Sequence, residues 1–253
     1  MIRKLLVVIL LLSCGAGNEA QELSKGSVLN ILVFSKTNGY RHESIPTGIR
    51  TLIELGESRR WQITATEDHR KLSESFLGQF HVLVFMNTNG DVLEPVQQDA
   101  VMKFYRSGKG FVGVHSASAT EYDWPWYETL IGAYFKAHPK IQQARIIMED
   151  KTHPALPDSF GREIARVDEW YSFRKNPRGD VDVLLSLDET SYDFEGKDDM
   201  MMGDHPIAWY HEKDGGRSFY TALGHTHEIY ADPFFRAHLA GAIEWAGGID
   251  RMN

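Results

Sequence analysis

One cysteine, Cys14, stands near the start of this 253-residue chain, and none follows it. That scarcity excludes a disulfide framework and thiol catalysis in everything beyond residue 14. Basic residues are also in deficit: 27 Lys and Arg face 35 Asp and Glu, the formal net charge is −8, and no Lys/Arg block occurs. A phosphate-tracking surface is thereby disfavoured, so nucleic acid is not an expected partner. Internal repeats, low-complexity tracts and Pro/Gly/Ser linkers are absent as well. Nothing divides the chain, and hydrophobic content of 42% with charged content of 25% is that of an ordinary globule with a sizeable core.

Long apolar runs are confined to the N-terminus. Arg3 and Lys4 precede Leu5 to Leu12, a stretch too short to span a bilayer comfortably, and small or polar residues follow. This pattern predicts an export signal over residues 1–21, a polar tether over 22–28 and one domain over 29–250. Leu11, Leu12 and Ser13 before Cys14, with Gly15 after it, resemble a bacterial lipobox, in which the cysteine is lipidated. Cleavage after Ala16 or Ala20 would instead discard Cys14. Either way the protein is expected outside the cytoplasm, periplasmic or anchored to a membrane through Cys14.

The body alternates strand and helix signals. LNILVFS (29–35) is a continuous β-rich run, as in a strand covered on both faces. Ser44 as a cap and Pro46 in the first turn open a helix with apolar residues at Ile45, Ile49, Leu52 and Ile53. Strands at 61–66, 81–86 and 111–115 follow, separated by a short helical stretch near 73–77 and an apolar stripe at Val96, Ala100, Val101, Phe104 and Tyr105. This predicts an α/β fold, a three-layer, doubly wound, mostly parallel sheet with right-handed crossovers. Further strands are expected at 143–148, at a run leading into VDEWYSF, at 181–187, and at 207–210 and 217–223, the last two joined across EKDGG as a hairpin. A closing helix carries Phe235, Leu239, Ala242, Ile243 and Ala246 and stops at Gly247 and Gly248.

Ligands of parallel α/β sheets bind at the carboxyl ends of strands, and there the chain is polar. The first strand is followed by Asn38, Tyr40, Arg41 and His42; the 81–86 strand by Asn87, Thr88 and Asn89; the 111–115 strand ends in His115. Later segments add Asp168, Glu169, Trp170 and Tyr171, then His225, Thr226 and His227. His115 stands where a sharp strand-to-helix turn presents a side chain, and imidazole there suits acid/base work or metal ligation. A three-ligand divalent site from His115, Glu169 and His225 is chemically sensible, although GHTHE is not HExxH and no acidic Ca²⁺ loop supports it. Hydrogen bonding without a metal accounts for the same residues. Acids followed by Trp170 and Tyr171 have the character of a sugar-binding edge, where carboxylates accept from hydroxyls and rings stack on pyranose faces. His138, His153 and His205 each precede proline and read as loop-shaping; YDFEGKDDMMMGDHP reads as a long surface loop.

GYRHESIP, VLVFMNTNGD, GKGFVGVHSAS, EYDWPWYETLIGAYFKAHP, DEWYSF, DHPIAW, GRSFYTALGHTHEIY and AGAIEWAGG, in that order, resemble the ThuA-like (trehalose utilisation) family over about 29–248. The resemblance implies a flavodoxin-like, class I glutamine amidotransferase-like fold. Where an amidotransferase elbow carries cysteine this chain has His115, which excludes glutaminase chemistry of that kind. It further implies a role in breaking down disaccharides or other glycosides oxidised at C3 to a ketone, by elimination, isomerisation or hydrolysis. In that setting His115 or Glu169 is the expected base and His225, with or without a metal, the acid or stabiliser; His42, Asn87, Tyr171 and Thr226 would bind the sugar. A non-catalytic carbohydrate-binding protein and a metal-dependent hydrolase are the alternatives.

Overall fold

A computed structural model describes residues 28–249. The export signal over 1–21, Cys14 and tether residues 22–27 lie outside the described residues. LNILVF forms β1 (Leu29–Phe34), and α1 (Ile45–Arg59) follows with proline in its first turn. Ser44 does not cap that helix: its hydroxyl donates instead to the Gly224 carbonyl, 3.1 Å away, which ties the start of α1 to a distant loop. β2 (Trp61–Thr66), α2 (Glu74–Leu77), β3 (Val82–Met86), α3 (Pro95–Arg106) and β4 (Gly110–Val114) complete the regular alternation. β3 and β4 are buried at every residue, which their continuous apolar runs require.

The second half is less regular. α4 (Pro125–Ile131), β5 (Phe135–Ala137), β6 (Gln142–Met148), β7 (Glu163–Asp168), β8 (Ser172–Phe173), β9 (Asp182–Leu187), β10 (Pro206–His211), β11 (Arg217–Thr221) and α5 (Pro233–Ala246) follow in order. The expected hairpin joins β10 to β11, its turn passing through Asp214 and Gly215 at positive φ. α4 and the small antiparallel ribbon of β5 with β8 fall outside the sequence expectation.

The main sheet has the order β2-β1-β3-β4-β11-β10-β9-β6-β7. From β2 to β11 every pairing is parallel, whereas β10, β9, β6 and β7 pair antiparallel with their neighbours. β10 and β6 therefore run against all the others, and β7 ends at the same rim as β4 and β11. Period-two alternation of side chains builds the layers. A Cβ on Gly110 would overlap the carbonyl oxygen of Ala246 in α5, and one on Gly113 would overlap Ile131 of α4, so these helices cover opposite faces of β4. α1 packs beside α5 on one face. On the other, Tyr127 of α4 meets Phe85 and Phe111, and Trp126 meets Tyr105 of α3.

The antiparallel arm must bend to do what it does. Four strand steps separate β7 from β11, roughly 19 Å across a flat sheet. Yet Asp168, the last residue of β7, accepts from the Gly224 N–H at 2.8 Å, just beyond β11. The arm curls over the rim and carries residues 168–171 back toward β4.

Candidate functional site

Two neighbouring strands leave the sheet through strained residues. Asn87 after β3 has φ 50° and His115 after β4 has φ 51°, a conformation costly for residues with a Cβ. At His115 this turns the chain into a short 3₁₀ segment, His115–Ala119, and aims the imidazole along the rim. Its Nδ1 lies 2.7 Å from the Ala222 carbonyl oxygen. A carbonyl only accepts, so Nδ1 carries the proton and Nε2 faces the rim.

Three other segments bring partners to that nitrogen. Glu169 Oε2 lies 3.5 Å from His115 Nε2, His225 Nδ1 lies 3.1 Å from the same carboxylate oxygen, and the two imidazole nitrogens are 3.3 Å apart. His42 stands edge-on to both rings, with centroids 4.7 Å from His115 and 5.0 Å from His225, and its Nδ1 is 3.2 Å from Ser116 Oγ. One donor atom from each of His42, His115, Glu169 and His225 lies within 4.8 Å of every other. Tyr171 lays its ring over His115 with centroids 4.2 Å apart.

The second carboxylate oxygen has a different partner. Glu169 Oε1 is 3.0 Å from His138 Nδ1, which also lies 2.8 Å from the Pro139 carbonyl oxygen. Two acceptors at Nδ1 fix the proton there and leave Nε2 with its lone pair, without a protein partner among the described residues. His138, read from its His-Pro context as loop-shaping, is thus part of the cluster.

These groups open on a cavity of about 320 Å³ lined by Tyr40, His42, His138, Glu169, Tyr171 and His225. A second cavity of about 200 Å³ shares Tyr40, His42 and His225 and adds Glu43, Thr226 and His227. His115 is fully buried behind them. Tyr40, 62% exposed, stands edge-on to His42 at the mouth of both.

The electrostatics follow from this crowding. Burial lowers the His42 pKa to about 2, helped by charge on His115 and His225, so His42 is neutral. Burial alone would raise the Glu169 carboxyl, but hydrogen bonds and positive charge from His115 and His225 hold it well below the usual carboxylate range. Burial likewise opposes charge on His225, and is outweighed by its bond to Glu169 and by the charges of Glu169 and Asp168, which raise its pKa.

Asp168 is an organiser of this rim. Fully buried, it accepts from the backbone N–H groups of Glu169, Gly224, His225 and Thr226 at 3.0, 2.8, 3.1 and 3.3 Å. Gly224 has φ 129°, and a Cβ there would sit 2.9 Å from both Tyr230 Oη and Val114 Cγ1. His205 Nε2 lies 2.9 Å from the Tyr171 carbonyl oxygen while its Nδ1 lies 2.8 Å from Glu189 Oε1, which holds Tyr171 from behind.

Of the residues expected to bind substrate, His42, Tyr171 and Thr226 reach a cavity wall. Asn87 does not. It is fully buried, and its amide donates to Ser44 Oγ at 3.1 Å and to the Gly224 carbonyl at 3.0 Å. Its place as a sugar contact is corrected to a brace between α1 and the loop after β11, and the cavity wall nearby is supplied by Asn89.

A family model described as trehalose utilisation, ThuA, matches residues 30–246. No curated protein matches significantly. Among solved structures, a ThuA-like protein from Bacteroides uniformis ATCC 8492 is similar with a TM-score of 0.72 and 21% identity, over 90% of this chain and 95% of that one. A ThuA-like protein from Parabacteroides merdae ATCC 43184 has a TM-score of 0.71 and 17% identity, over 87% and 90%. The glutaminase domain of Trypanosoma brucei CTPS, with bound acivicin, is more distant at a TM-score of 0.50 and 9% identity, over 86% and 94%. The likeness to these structures is one of fold, that of the glutamine amidotransferase-like group.

Proposed function

The chain belongs to the ThuA family, and from that premise we propose that it is an enzyme of glycoside catabolism that removes the proton at C2 of a sugar oxidised to a ketone at C3. The observation that carries the reading is Glu169, whose two oxygens face His138 on one side and the His115–His225 pair on the other. One carboxylate thereby joins a base to an electropositive pocket. A ketone acidifies the neighbouring C–H, so the chemistry needs little more than those two parts.

His138 Nε2 is the base. It takes the C2 proton while Glu169 Oε1 stabilises the resulting imidazolium through Nδ1–H, as a carboxylate does behind a catalytic histidine. The C–H electron pair becomes the C2–C3 double bond of an enolate, whose oxygen faces the His42–His115–His225 side. Collapse of the enolate forms C1=C2 as the C1–O bond breaks, and the proton held by His138 passes to the departing oxygen. Returned to C2 from the opposite face instead, a proton gives the epimer. Tyr40 and Tyr171 supply faces for the ring, and Thr226 a hydroxyl in the adjoining cavity.

Asp168 is not the base in this scheme, because its oxygens are committed to backbone N–H groups. The leader sequence supports an activity outside the cytoplasm, with the domain tethered to a membrane by lipid where Cys14 is retained and free of it where cleavage follows Ala16 or Ala20. The test of the reaction class is a comparison of substrates. Purified protein should release the C1 substituent of a 3-keto-glucoside, or invert C2, and leave the parent unoxidised glucoside unchanged; equal inertness toward both across a panel of keto-sugars contradicts it.

A further inference from the structure

The geometry points to a first-row divalent cation, Zn²⁺ by donor set, held by His42, His115 Nε2, His225 Nδ1 and Glu169 Oε2, with a fifth ligand able to add from the larger cavity. Three of the donors already form a triangle with edges of 3.5, 3.1 and 3.3 Å. Ligands about 2.0–2.1 Å from a tetrahedral ion are separated by roughly 3.3 Å, so the triangle has the size that coordination demands. All four donor atoms lie within 4.8 Å of one another.

Proton counting reaches the same point independently. His115 gives its Nδ1 proton to the Ala222 carbonyl, which leaves Nε2 as a lone pair unless the ring is a cation. Glu169 Oε2 only accepts. A single proton on His225 Nδ1 can serve one of these two neighbours and leaves the other pair of acceptors facing each other. Serving Glu169 Oε2 from both rings with protons makes the fully buried His115 an imidazolium and sets its Nε2–H against the Nδ1–H of His225, the two nitrogens 3.3 Å apart. One divalent cation takes the place of both protons and satisfies all three atoms. The bond from His115 Nδ1 to a backbone carbonyl and the contact of His42 Nδ1 with Ser116 Oγ are the outer contacts that orient metal-binding imidazoles.

Three nitrogens and one carboxylate oxygen suit Zn²⁺, Co²⁺, Ni²⁺ or Fe²⁺ better than Mg²⁺ or Ca²⁺. His42, Glu169 and His225 line the cavity, so a carbonyl or enolate oxygen has direct access to such an ion. Only that last task rests on the proposed reaction; binding of the ion does not.

The test uses the purified chain freed of metal by chelation and then titrated with Zn²⁺ or Co²⁺ alone. Calorimetry should show one equivalent bound, and Co²⁺ should give visible d–d bands without a thiolate band, since no cysteine follows Cys14. His225→Ala and Glu169→Gln, both at the cavity wall and both checked for folding by circular dichroism, should weaken binding by at least the roughly 10–100-fold that loss of outer contacts alone produces. Folded protein that takes up neither ion at micromolar concentration, or a His225→Ala chain that binds as tightly as the unaltered one, overturns the site. Stoichiometric metal without keto-sugar turnover upholds the site and removes the reaction; turnover by rigorously metal-free protein upholds the reaction and overturns the ion's task in it.

Discussion

A carboxylate that addresses two imidazoles through different oxygens divides labour between them, and in this chain Glu169 does so from a nearly buried position. His138→Gln keeps a side chain of similar reach but removes the basic nitrogen. Turnover of a keto-glucoside should fall by about 10²–10⁴ while KM changes little, because loss of a general base is felt in the transition state; steady-state kinetics across pH checks this. Reading residues at strand ends was enough to single out His42, His115, Glu169 and His225, since parallel topology collects those positions at one rim. The same rule missed His138, which follows the three-residue β5 on a separate ribbon and resembles any pre-proline histidine. It overreached at Asn87, whose amide is consumed by backbone and hydroxyl partners that only the folded chain reveals.

At the scale of elements, the loop after β11 is held from two directions. Gly224 adopts a φ that admits no Cβ without pressing on Tyr230 and Val114, and Asp168 gathers the N–H groups of residues 224–226. Asp168→Asn places an amide N–H₂ against donors, leaving a buried N–H unsatisfied at a cost of about 1–3 kcal/mol. Chemical denaturation should register that loss, and activity should drop further than stability because His225 loses its anchor. Gly224→Ala should act in the same direction, with a lower melting temperature and a displaced His225; an unchanged melting temperature contradicts the close packing. β1, β3 and β4 were legible because mostly apolar runs of five or six residues bounded by turns have few other solutions, and β2 because WQITAT alternates apolar and polar side chains. The bend of the β10–β7 arm was not, since strand order and curvature are properties of pairing between distant segments. α4 escaped because its seven residues carry one short apolar face, Tyr127, Leu130 and Ile131, after three aromatic residues.

For the whole molecule, acid stability is set partly by histidines remote from the site. His153 and His238 both engage Ala155, one accepting from its N–H at 3.1 Å and the other 3.0 Å from its carbonyl oxygen, and burial lowers each pKa from 6.5 to about 4. Because the unfolded chain binds protons more readily at these positions, their contribution is present above pH 6.5 and is lost as pH falls from there toward 4. Each should impose a slope on the order of 1 kcal/mol per pH unit within that window. Melting temperatures measured from pH 7.5 to 4.5 should decline, and His238→Gln should flatten the decline. The central claim concerns one proton, and proton exchange measures it directly. Incubated with a 3-keto-glucoside in D₂O, the protein should promote deuterium entry at C2, or loss of the C1 substituent with C2 deprotonated, as followed by NMR, and His138→Gln should suppress both. A C2 proton that stays in place in every keto-sugar offered, at the rate seen without protein, would contradict the account.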